Sequence, residues 1–200
     1  MGADPTAPDR PARDKPMTLA LAGVGVLAAA TALLPESVRP WNFAAVGALA
    51  LFSAARLGFY PALAVTTLAL ALKDLGLYLN HAWWEPEPLA WLCFAGYAVV
   101  GRAVLRRTES PVRIGATAAA ASVLFFVTSN FGSWVSQALP YGYSPAGLLD
   151  CYRAAIPFFR GTLSGDLIYT AAFFGLHAVL SRAYFPAERV AMNEVETGRR

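Results

Sequence analysis

The sequence predicts an all-α integral membrane protein, a single bundle of about six transmembrane helices with both termini in the cytoplasm. Three observations lead there. Charged residues make up only 14% of the chain against 56% hydrophobic, where a soluble domain carries about 25% charge, and mean hydropathy is +0.45. Apolar runs of helix length recur between short Pro-, Gly- and Arg-rich breaks. Finally, Lys and Arg crowd into alternate connections, the signature of cytoplasmic loops.

Residues 1–16, with four Pro, three Asp and no apolar periodicity, read as a disordered cytoplasmic tail. The transmembrane domain is expected over 17–184. Met17 to Leu34 is an uncharged run near the lower limit for a span. It competes with a signal-peptide reading, because Arg13 and Lys15 precede it and Ala30-Thr-Ala32 offers a small-residue cleavage site. Asn42 to Leu57 and Pro61 to Leu79, separated by Gly58, give helices two and three, and Asn80 to Pro88 reads as a loop with His81, Trp83 and Trp84 as interface anchors. Leu89 to Leu105 is the fourth helix, and Ile114 to Ala138 the fifth, after a polar turn containing Pro111. Prolines and glycines between Leu139 and Arg160 predict a connection with at most a short helix at 148–155, and the sixth helix follows over Thr162 to Tyr184. Residues 185–200 form a charged cytoplasmic tail.

Of the 16 Lys and Arg, 12 fall in the N-terminal tail, at Arg56, in the Arg102 to Arg113 turn and from Arg182 onward. Arg39, Arg153 and Arg160 lie on the opposite side, and Lys73 lies within helix three. The bias places both ends inside. Basic residues form no patch interleaved with exposed aromatics, so nucleic acid is not an expected partner. Cys93 and Cys151 lack metal or redox spacing and read as buried thiols; no metal site and no cofactor is expected.

An ionisable group inside a membrane helix costs about 2.5–3.5 kcal/mol on insertion scales and is a functional candidate by default. Lys73, Asp74, Arg160 and Asp166 qualify. The plainer account is that the basic pair reaches the outer headgroups while Thr162 and Ser164 begin a helix with Asp166 in its first turn. A polar pocket is favoured by convergence: Asn130, Trp134 and Gln137 share one helical face, and Asp166, Tyr169, Thr170 and Phe173 recur at helical spacing, with His177 one turn on. His177 by itself reads as a core histidine, and Trp83, Trp84, Tyr141 and Tyr143 as an interfacial belt. Gly25 with Ala29, the Gly47 to Ala55 stripe, and Ala118 with Ser122 have the small-residue spacing of close helix crossings. No GxSxG, HExxH or phosphate-loop motif is present, so no catalytic residues are assigned and the chain is not expected to be an enzyme.

The stretches 40–52, Thr128 to Trp134 and Cys151 to Thr170 resemble those of a domain-of-unknown-function family of small bacterial membrane proteins, over roughly Arg39 to Tyr184. More distantly, the layout is similar to the substrate-binding components of energy-coupling-factor transporters, as an analogy of fold. That resemblance implies a multi-pass protein of the bacterial inner membrane with an outer-side pocket. It also implies docking through first-helix small residues onto a membrane partner subunit, and a separate ATPase. The expected function is therefore solute binding for transport, with Asn42, Asp74, Asn130, Trp134, Arg160, Asp166 and Tyr169 in the pocket. In that reading Arg160 meets an anionic group, Asn130 orients a polar edge and Trp134 stacks. The alternative is a structural or accessory membrane protein that takes no ligand.

Overall fold

A computed structural model describes residues 15–29, 42–80, 88–136 and 140–184. Among them are six helices and no strands: α1 (Lys15–Ala29), α2 (Val46–Arg56), α3 (Phe59–Asn80), α4 (Pro88–Leu105), α5 (Pro111–Val135) and α6 (Pro145–Tyr184). Helices α3 to α6 are long and apolar enough to cross a membrane. The described part of α1 and all of α2 are shorter. Lys15 and Pro16, expected in the N-terminal tail, begin α1 instead; residues 1–14, the C-terminal tail, the end of the predicted first helix, its cleavage site, and the loop with His81, Trp83 and Trp84 lie outside the described residues, as does Gln137.

Helix α2 is the axis of the bundle. At about 1.5 Å per residue its 11 residues span only about 16 Å, and all but Arg56 are buried against the other five helices. Its composition explains this: Gly47, Ala48, Ala50, Ala54 and Ala55 let neighbouring backbones approach. A Cβ on Gly101 of α4 would lie 2.5 Å from the Leu51 carbonyl oxygen, so that crossing requires glycine. Gly58, at φ +109°, turns the chain from α2 into α3.

Two helix starts differ from the sequence expectation for one reason. Pro111 and Pro145, read as loop residues, each stand first in a helix, where proline's missing N–H is not needed. Ser110 caps α5 by accepting from the Arg113 N–H, and Ser144 accepts from the Gly147 N–H at the start of α6. The expected break before Thr162 is absent. α6 runs unbroken through Pro157 for 40 residues, about 60 Å, twice a hydrocarbon core of about 30 Å. Proline removes one helical hydrogen bond, which a long helix packed on a neighbour withstands.

Arg56 holds one end together. Its guanidinium donates to the carbonyls of Leu105, Arg106 and Thr108 at 3.2, 3.5 and 3.0 Å and lies 5.0 Å above the Phe174 ring. Beneath it Phe52 packs on Phe173, Phe174 and His177. Chain direction brings Arg102, Arg106, Arg107, Arg113 and Arg182 to this same end. The outward faces of α3 to α6 present Leu68, Leu75, Leu92, Val99, Leu124, Val127, Ile168 and Leu176, an apolar jacket suited to lipid.

Candidate functional site

At the opposite end of α2 the bundle is hollow. Asn42 adopts a left-handed conformation (φ +55°), which asparagine tolerates, and Phe43 and Ala44 lead into α2 without helical structure. Gly161 and Gly165 of α6 are buried, and Gly165 lets this segment press close: its Cβ would sit 3.0 Å from the Ala44 carbonyl oxygen. The result is a cavity of about 260 Å³ walled by Asn42 to Ala44, the start of α2, and one stripe from each of four helices. These are Leu70, Lys73, Asp74 and Leu77 of α3; Ala90, Trp91 and Phe94 of α4; Phe125, Phe126, Ser129, Asn130 and Ser133 of α5; and Ala155, Phe158, Phe159, Thr162 and Asp166 of α6. The three- and four-residue steps put each set on one helical face.

Two carboxylates lie in this wall, held differently. Asp74 pairs with Lys73 at 3.0 Å and accepts the Trp91 indole N–H at 2.8 Å. Asp166 is 2% exposed. Its Oδ2 accepts from the Tyr97 hydroxyl at 2.7 Å and the Ser122 hydroxyl at 2.6 Å, and the Ala48 backbone N–H donates as well. Gly47 is what admits the carboxylate, because a Cβ there would collide with Asp166 Oδ1 and the Tyr97 ring. Asp166 therefore joins α2, α4, α5 and α6 at one point.

Of the seven residues expected in a pocket, the structure brings Asn42, Asp74, Asn130 and Asp166 to the cavity wall. Asn130 spends its amide N–H on the Phe126 carbonyl of its own helix. Trp134, Arg160 and Tyr169 stand elsewhere. The Trp134 indole donates to the Gly142 carbonyl at 2.9 Å and packs on Phe131 and Tyr143, fastening the α5–α6 connection. Arg160 is exposed. Tyr169 lies behind the wall, its ring 5.4 Å from that of Phe43. Gly25 faces inward toward Leu49 and Phe173 rather than presenting a surface to a partner; the Ala29 side chain lies outside the described residues.

Sequence reasoning left out Trp91, Ser129 and the Phe125, Phe126, Phe158 and Phe159 walls. The α5 stripe lies about a turn earlier than the Asn130, Trp134 and Gln137 face, and Ala155 to Phe159 fell within the expected loop. A usable signal was present in Gly161-Thr-Leu-Ser-Gly165, a small-xxx-small repeat one residue before Asp166. Among the described residues, no three His, Cys, Asp or Glu come together to hold a metal ion.

The sequence profile of a family of unknown function, DUF6580, matches residues 12–190. No curated protein and no solved structure matches the chain.

Proposed function

This chain belongs to DUF6580, and we propose that it is a non-enzymatic solute-binding protein of a cell membrane, with its cavity as the binding site. The observation that carries the reading is the cavity itself: a space of about 260 Å³ among seven aromatic rings, with carboxylates, amides and hydroxyls reaching it from three helices and the segment before α2. Binding sites are typically concave, mostly apolar and furnished with a few placed polar groups. A volume just below the usual range of about 300–1,000 Å³ fits a solute smaller than a drug.

The cavity lies at the end away from Arg56, Arg102, Arg106, Arg107 and Arg113. With that basic end in the cytoplasm, as the charge bias favours, the cavity faces outward and the protein takes its solute from outside. The layout keeps the analogy with energy-coupling-factor binding components, for which a separate membrane partner subunit and ATPase would drive import. Thermal unfolding of the detergent-solubilised protein with small neutral, cationic and anionic ring compounds tests the reading. Stabilisation by one class, lost in Ala90→Trp, which fills the cavity, is expected. If no compound stabilises the protein, or if Ala90→Trp responds as the parent does, the cavity is not a solute site.

A further inference from the structure

Resting on that solute-binding reading, we infer that the cavity selects a small organic cation, an ammonium group carried on a compact apolar or aromatic body, with Asp166 as its counter-charge. The inference comes from a charge inventory of the wall. Lys73 and Asp74 face each other at 3.0 Å and cancel. Asp166 has no such partner: its donors are two hydroxyls and a backbone N–H, all neutral, and no basic side chain among the described residues pairs with it. Three converging donors suit an ionised carboxylate, which only accepts. They orient the charge without neutralising it. Among the described residues the cavity wall thus carries one uncompensated negative charge, and a buried carboxylate is costly until a cation meets it.

The walls agree with this charge. Trp91, Phe94, Phe125 and Phe126 line the same space, and aromatic faces attract cations, Trp most strongly. An anionic solute would meet these ring faces and Asp166 together, with Lys73 already engaged by Asp74. Phe94 and Phe125, 5.0 Å apart between ring centres, also stand beside the Tyr97 ring that donates to Asp166. The aromatic wall and the counter-charge therefore adjoin.

The test uses three probes with one ring and different charge: benzylammonium, benzyl alcohol and benzoate, each titrated into the full-length protein in dodecylmaltoside, with binding read by calorimetry and Trp fluorescence. The expected order is benzylammonium tightest, by at least tenfold over benzyl alcohol, and benzoate weakest. Asp166→Asn should remove the preference for the cation, bringing the benzylammonium and benzyl alcohol affinities to within about twofold of each other. Lys73→Met provides an independent readout should Asp166→Asn fail to fold. It leaves Asp74 negative and should tighten benzylammonium while weakening benzoate further. Repeating the titration with added phosphatidylethanolamine separates the two sources of an ammonium group: competition points to a lipid headgroup and no competition to a free solute. Benzyl alcohol or benzoate binding as tightly as benzylammonium, or a preference unchanged in both variants, overturns the cation assignment while the solute-binding reading stands. Failure of all three probes to bind overturns both.

Discussion

The two ends of α2 are built from the same helices by opposite means. At the Arg56 end, small residues and a guanidinium close every gap: Gly101 touches the α2 backbone, Phe52 nests on Phe173 and Phe174, and Arg56 takes up three carbonyls of the α4–α5 turn. At the other end α2 has not yet begun. The non-helical Phe43–Ala44 segment and Gly47, in the first turn of α2, leave room for a void that large aromatics surround without filling. The contrast teaches that one buried helix can be an anchor at its C-terminus and the floor of a site at its N-terminus. Stability and binding should then separate by end.

Three substitutions press on that separation. Arg56→Met carries the largest effect. It removes three donated bonds from a charged group and uncovers helix-terminal carbonyls, at a cost of about 3 kcal/mol. Detergent unfolding followed by circular dichroism should record it, with solute affinity unchanged in the surviving folded fraction. A parallel loss of affinity would break the comparison. Gly101→Ala should cost about 2 kcal/mol by forcing α4 from α2, because the new methyl group meets backbone atoms of Leu51 at 2.5 to 3.0 Å. Gly96→Ala, on the same helix with nothing within 4 Å, serves as the control and should be neutral or slightly stabilising. The smallest effect belongs to Trp134→Phe, which loses one half-exposed hydrogen bond to Gly142, about 1 kcal/mol, and leaves binding intact. Impaired binding there would extend the site to the α5–α6 connection.

Much of the architecture was legible because long apolar runs become helices, and α3, α4 and α5 fall within a few residues of their expected bounds. The errors cluster around proline. Pro111 and Pro145 start helices and Pro157 sits inside one, since a proline's meaning depends on whether its N–H would have had a partner. Misreading α6 in this way hid Ala155, Phe158 and Phe159. Asp74 and Asp166, which line the same cavity, were legible because carboxylates within apolar runs are rare.

What the sequence by itself determined is coarse: apolar runs that form helices, four of them long and apolar enough to cross a membrane, and arginines that gather mostly at one end. The tertiary structure alone decided which polar groups meet. Periodicity orders residues around a single helix but is silent on rotation against its neighbours. Trp134 therefore reads like Asn130 along α5, yet one turns to the Gly142 carbonyl and the other to the cavity. Tyr97, Ser122 and Asp166, 69 and 44 residues apart in chain, meet because Gly47 leaves room for them. A missing side chain on α2 thereby lets a carboxylate of α6 reach donors on three other helices.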